Sequence, residues 1–215
     1  MVLLCPTIGG LRKLISICER YAEKNDLRYN AKKSEVMVFT VGSKCLGNIP
    51  PVFLDGSPLK LVDKFKYLGH WVTFNLNDDL DIERERRALS VRCNMLARRF
   101  ARCTREVKTT LFRAFCQSFY TCSLWASFTQ RAYSALRVQY NNGLRAMLGL
   151  PRFCSASAMF AEAKVNDFYA IMRYRSASLI SRIQASNNSL LIVLASRWDS
   201  AVVRNFNYLH CNSHL

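Results

Sequence analysis

The sequence is poor in acidic residues. Its 215 residues include 15 Asp and Glu against 31 Lys and Arg, which gives a formal net charge of +16. An excess of this size favours a polyanionic partner, with nucleic acid ahead of an anionic membrane. The alternative interpretation is an ordinary basic surface that faces water.

Several catalytic signatures are also missing. The sequence has no glycine-rich phosphate loop, no zinc quartet and no Gly-x-Ser-x-Gly, and its 3 His are too few for a triad argument. Its longest apolar run, Leu190–Ala195, is too short to cross a bilayer, and the start does not read as a signal peptide. The sequence therefore predicts neither a membrane span nor a common hydrolase or nucleotide-binding site.

Cysteine is present but not in a pattern that suggests cross-links or metal binding. The 9 Cys are odd in number, scattered, and contain no Cys-x-x-Cys. This usage is typical of reduced structural thiols and predicts an intracellular protein, in either the nucleus or the cytoplasm. His210, Cys211 and His214 lie close in sequence but fall short of a zinc ligand set, so no metal site is predicted there.

The stretch Lys64–Phe74 separates two kinds of sequence. Its aromatic and β-branched residues alternate with the period of a strand, and Gly69 predicts a bulge or a close backbone approach. Before it we expect an amphipathic helix after Gly9-Gly10, apolar strands at Val2–Cys5 and Val36–Val41, and a tight hairpin at Asp55-Gly56.

After this stretch the pattern is helical, and Asp79 or Asp81 is expected to cap the first helix. Asp78, Asp79 and Asp81 could together hold Mg²⁺, but their place before a helix favours capping. We predict a second helix at Arg105–Ala126, capped by Thr104 and buried at the centre of a bundle, and a third around Leu136–Leu148 that stops at Gly149. Two more follow at Ser155–Ala163 and Asp167–Ala185, the last capped by Asn166 or Asp167, and the tail after Asn187 is expected to fray. The predicted fold is α+β, with one domain at residues 1–79 and a helical domain at 80–215.

The first helix of that second domain predicts a basic stripe. At 100° per residue, four arginines fall opposite the apolar face, joined by a fifth if the helix persists to Arg105, and Glu85 is not among them. We expect this stripe to face phosphates. The five are Arg84, Arg87, Arg98, Arg102 and Arg105.

The order of several short motifs resembles the second half of the reverse transcriptase of non-LTR (LINE-like) retrotransposons. The motifs include Asn30-Ala-Lys-Lys-Ser34, Phe65-Lys-Tyr-Leu-Gly69, Arg86-Arg-Ala with Asn94-Met-Leu96, and Leu148-Gly-Leu-Pro151. Each is weak alone, and their order and spacing along nearly the whole chain carry the resemblance.

The resemblance implies a distal palm and primer grip at 1–79 and a thumb at 80–215. In that family an Ala-Asp-Asp turn, which is expected just before residues Val2-Leu-Leu, supplies carboxylates for Mg²⁺. This chain lacks it, so we expect RNA-directed DNA polymerase ancestry, no cofactor and no primer extension by this chain.

The resemblance also assigns residues. Asn30, Lys33 and Ser34 match a palm motif near the leaving pyrophosphate, and Tyr67, Leu68 and Gly69 match the primer-grip hairpin. The arginine stripe would meet a template–primer duplex independently of its sequence. Two alternatives stay open: a translated remnant without function, and a helical module that binds a protein partner.

Overall fold

The computed structural model describes residues 1–40 and 47–211. The chain divides into two compact units, Met1–Leu76 and Asn77–Leu215, which we call the N-terminal unit and the helical unit. The described residues form a mixed α+β, helix-rich fold, as the sequence predicts. The division lies three residues before the predicted boundary at 79/80.

The N-terminal unit begins its regular structure with helix α1, Ile8–Lys24. The Thr7 side chain accepts a hydrogen bond from the Gly10 N–H at 3.1 Å and so caps the helix. Gly9 and Gly10 therefore lie inside the first turn, and the predicted turn at these glycines is wrong. The buried face of α1 packs through Ile15 against a small core that includes Val52 and Leu54.

Six short strands form three two-stranded sheets in the described part of this unit. One pair is parallel, β1 with β4, and two pairs are antiparallel, β2 with β3 and β5 with β6. The strands are β1 Glu35–Val36, β2 Phe53–Leu54, β3 Ser57–Pro58, β4 Lys60–Leu61, β5 Lys64–Tyr67 and β6 His70–Thr73.

The two apolar strands expected nearer the start are largely wrong. Residues 2–5 form no strand, because no described segment pairs with them, and Pro6 follows at once without an N–H to donate. β1 ends at Val36, where the second predicted strand begins. That prediction ran to Val41, which lies outside the described residues.

Two tight turns shape the remaining strands. Asp55 and Gly56 have φ of 51° and 70°, the left-handed pair that a two-residue hairpin turn needs, so the predicted hairpin is confirmed. Leu68 and Gly69 repeat this geometry with φ of 47° and 87°. Lys64–Phe74 is therefore a hairpin, the shape that the resemblance assigned to Tyr67, Leu68 and Gly69. The single strand that the alternation of residues predicted, with a bulge or close backbone approach at Gly69, is wrong.

The helical unit consists of seven described helices with a 3₁₀ turn at Cys122–Leu124. Thr104 and Asp167 cap α3 and α6 as predicted, and Gly149 ends α4 with φ of 68°. The helices are α2 Asp79–Arg99, α3 Arg105–Cys116, α4 Gln130–Leu148, α5 Ala156–Ala163, α6 Phe168–Gln184, α7 Ser189–Ser196 and α8 Ala201–Cys211.

Helices α2 and α4 run parallel and side by side at the centre of this unit. At their beginnings, the Asp79 carboxylate accepts a hydrogen bond from the Thr129 N–H at 2.7 Å. Further along, a Cβ added to Gly143 would lie 2.5 Å from the Cys93 sulfur. Each pair is 50 residues apart in sequence, so the two helices advance together. The two helices contribute four fully buried side chains to the core of the unit: Ile82, Leu89, Leu136 and Leu144.

The expected central helix Arg105–Ala126 is wrong. Helix α3 stops at Cys116, the chain reverses at Thr121 with φ of 67°, and Phe115 is half-exposed. Phe119 and Trp125 are buried from the segment after the helix rather than from the helix itself. The expected frayed tail is also wrong as far as residue 211, because the Asn188 side chain caps α7 and α8 follows it; residues 212–215 lie outside the described part of the chain. No helix in the described ranges is both long and apolar enough to traverse a bilayer.

Candidate nucleic-acid interface

The first half of α2 holds a buried acidic centre instead of an arginine face. Asp81 is fully buried, and its carboxylate accepts hydrogen bonds from Arg84 Nε at 2.7 Å, Thr121 Oγ1 at 2.8 Å and Trp125 Nε1 at 2.8 Å. Asp81 therefore joins α2 to the segment after α3, and its predicted role as the helix cap is wrong. Asp78 occupies the cap position.

Arg84 belongs to this buried centre. Its guanidinium also donates to Glu85 at 3.0 Å, and Glu85, itself 1% exposed, accepts from Arg92 at 2.5 Å. Burial alone would lower the pKa of Arg84, but its hydrogen bonds and attraction to Asp81 and Glu85 raise it. Arg84 is held by two carboxylates and is not free for a phosphate.

Two further arginines of the predicted stripe, Arg87 and Arg105, form ion pairs at the surface. Arg87 donates to Glu83 at 2.7 Å, and Arg86 donates to the same carboxylate at 2.6 Å. Hydrogen bonds from Arg86 and then Arg87 lower the pKa of Glu83 to about 2. Arg105 pairs with Glu162 of α5 at 2.8 Å. The predicted stripe is therefore wrong for Arg84, Arg87 and Arg105, which acidic side chains hold. Helix α2 also ends before Arg102.

The remaining two arginines of the stripe have a different environment. Arg98 and Arg102 are exposed and make no hydrogen bond or ion pair with any described residue, and the same holds for Arg99. Arg99 is not in the predicted stripe, although the sequence carries a signal for it: no acidic residue lies between Glu85 and Glu106. The end of α2 thus carries three unneutralised cations, which we call the arginine end.

In the N-terminal unit, Asn30 orders the segment that contains Lys33 and Ser34. The Asn30 side chain accepts a hydrogen bond from the Lys33 N–H at 3.1 Å, and its carbonyl accepts from the Ser34 hydroxyl at 2.9 Å. These bonds close the 3₁₀ turn Ala31–Lys33. The backbone of Lys33 is therefore fixed by Asn30, while its side chain is exposed.

A pocket of about 550 Å³ in the N-terminal unit brings some of the predicted site residues together. Lys33, Ser34, Lys66 and Tyr67 line it, along with apolar side chains of α1 and β1. Asn30, Leu68 and Gly69 are not among its lining residues. Leu68 is instead 73% exposed at the tip of the β5–β6 hairpin.

The described residues contain no group of three or more His, Cys, Asp or Glu side chains placed to hold a metal ion. Asp78 accepts hydrogen bonds from the backbone N–H groups of Ala126 and Ser127 at 2.8 and 2.9 Å, so it fixes the segment that leads into α4. His210 bonds to the Phe206 carbonyl, and His214 lies outside the described residues. The eight described cysteines are free thiols.

Comparisons of the chain with protein-family models, with curated proteins and with solved structures gave no match.

Proposed function

We propose that this chain binds nucleic acid without sequence preference, through phosphate contacts of the arginine end. We also propose that it is related to the reverse transcriptases of non-LTR retrotransposons, with a distal palm and primer grip before Asn77 and a thumb after it. In this proposal the chain positions nucleic acid and does not itself extend a primer.

One observation carries the binding proposal. Arg98, Arg99 and Arg102 are exposed and unpaired among the described residues, whereas Arg84, Arg87 and Arg105 are held by carboxylates. Guanidinium groups bind phosphate oxygens in a planar, two-pronged geometry, and the counterions they release drive association. Three free arginines within five residues form a compact site for a phosphate backbone.

Two local features support the proposed relation to reverse transcriptases. The Asn30 turn fixes Lys33 beside Ser34, and the Leu68-Gly69 turn makes the segment at Tyr67 a hairpin with an exposed tip. These are the residues that the resemblance assigns to the leaving-group side of the palm and to the primer grip. An ammonium group near developing phosphate charge would stabilise it, which is the role proposed for Lys33.

Salt dependence of binding tests the proposal. With three phosphate contacts, log K should fall with log salt at a slope of about −2 to −2.7, compared with about −3.5 to −4.5 for the full stripe of five. The double change Arg98→Ala and Arg102→Ala should reduce the slope by nearly two for every nucleic acid tested. Fluorescence anisotropy of a labelled duplex at several salt concentrations measures it.

The matched control changes Arg86 and Arg87 to Ala. It removes the same formal charge, but from side chains that already neutralise Glu83. The control should leave the slope within about half a unit of the unchanged protein. Equal effects of the two double variants would show that overall charge, not the arginine end, drives binding, and no binding by the unchanged protein would refute the proposed function.

A further inference from the structure

The loop between α4 and α5 presents an aromatic ring to water. Phe153 is 91% exposed, the most exposed large apolar side chain among the described residues, and Arg152 beside it is also exposed. Its neighbours Leu150 and Cys154 pack against the core of the helical unit, so the loop turns this one ring outward.

Hydrogen bonds hold this loop in place. The Arg145 guanidinium donates to the Cys154 carbonyl from Nε at 3.1 Å and from Nη2 at 2.8 Å, and its Nη1 donates to Asn142 at 3.0 Å. The Leu150 N–H bonds back to the Arg145 carbonyl at 2.9 Å. Arg145 therefore ties both ends of the loop to α4, and Phe153 is presented from a fixed backbone.

This loop and the arginine end lie at the same end of the helix bundle. Cys93 of α2 and Gly143 of α4 lie at the same level of the two parallel helices. Six further residues along each helix advance about 9 Å toward the same end of the bundle. These steps reach Arg99 on α2 and Gly149 on α4. Phe153 follows Gly149 by four residues, so one end of the bundle gathers an exposed ring and the three unpaired arginines.

We propose that Phe153 is a stacking platform for a base of single-stranded nucleic acid whose phosphates contact the arginine end. This inference rests on the proposed function and specifies its ligand. Single-strand sites combine cations along the backbone with aromatic rings that stack on bases, and such sites span about 4–16 nucleotides. A base covering the ring removes apolar surface from water, which duplex phosphates alone would not do.

The test compares two oligomers with identical phosphates, an oligo(dT) of about 12 nucleotides and an abasic strand of the same length. Phe153→Ala should weaken oligo(dT) binding about fivefold or more and leave binding of the abasic strand unchanged. Phe153→Trp should retain oligo(dT) affinity, and its added fluorescence should be quenched on binding. The matched control is Phe115→Ala, which removes a half-exposed phenyl ring of α3.

The outcomes separate this inference from the proposed function. If the unchanged protein binds both strands and Phe153→Ala weakens neither, stacking is refuted while phosphate binding stands. If Phe153→Ala weakens both strands equally, the ring supports the loop instead of a base, and stacking is again refuted. If neither strand nor a duplex binds, the proposed function fails and this inference fails with it.

Discussion

Replacing Asp81 by Asn should severely destabilise the helical unit. The carboxylate is fully buried and accepts hydrogen bonds from Arg84, Thr121 and Trp125. An amide of the same shape turns one oxygen into a donor, so at least one of these donors loses its acceptor and Arg84 loses a neutralising charge. Breaking a buried ion pair by removing one partner costs about 3–5 kcal/mol, a large part of the about 5–15 kcal/mol that stabilises a typical domain.

Urea unfolding of the full chain, followed by far-UV circular dichroism, measures this loss. The matched control is Glu83→Gln, the same chemical change two residues later in α2, where the carboxylate forms only surface ion pairs. That control should cost less than about 1 kcal/mol. A loss for Asp81→Asn no larger than that of Glu83→Gln would refute the argument that Asp81 anchors α2 to the following segment.

Three further predictions concern single sites. The Glu83 carboxylate has a pKa of about 2 in the folded chain, below its ordinary 4.5, so it stabilises the fold above about pH 5 and ceases to do so as the pH falls toward 2. The difference in unfolding free energy between the unchanged protein and Glu83→Gln should therefore vanish over that range, and a difference that stays constant would contradict the prediction. Gly143→Ala should destabilise the chain by about 1–3 kcal/mol, because the new Cβ would lie 2.5 Å from the Cys93 sulfur. Adding Cys93→Ala should recover part of that loss in thermal melts, and a double variant whose loss equals the sum of the two single losses would argue against the clash. Leu68→Asn should stabilise the N-terminal unit by about 0.5–1 kcal/mol, since Asn adopts φ of 47° more readily than Leu; an unchanged or lower melting temperature would contradict this.

The features that could be predicted from the sequence are those set by neighbouring residues. Thr104 and Asp167 cap their helices because a short polar side chain bonds to a backbone N–H only a few residues away. The turn at Asp55-Gly56 and the stop at Gly149 depend equally on local backbone preferences. The residue pattern alone did not give the turn at Leu68-Gly69, because Leu rarely adopts positive φ, and here the pairing of β5 with β6 overrides that preference.

The candidate site could be predicted only in part, because its electrostatics depend on contacts between distant residues. A helical wheel places Arg84 opposite the apolar face, but it cannot show that Thr121 and Trp125 approach Asp81 from about 40 residues away. Nor does it show that Arg105 meets Glu162. Arg98 and Arg102 were placed by the helical wheel opposite the apolar face, and both are exposed. The lack of acidic residues between Glu85 and Glu106, which the wheel does not use, would also have indicated Arg99.

The carboxylates of Asp78 and Asp79 determine where the chain can be divided. They precede or begin α2, yet they accept hydrogen bonds from the backbone N–H groups of Ala126 and Ser127, in the segment before α4, and of Thr129, the cap residue of α4. A shortened chain that began at residue 80, the domain boundary predicted from the sequence pattern, would lack both carboxylates and leave those three N–H groups without their acceptors. An attempt to produce the helical unit alone should therefore start no later than Asn77, and shorter versions would understate its stability for reasons unrelated to its own core.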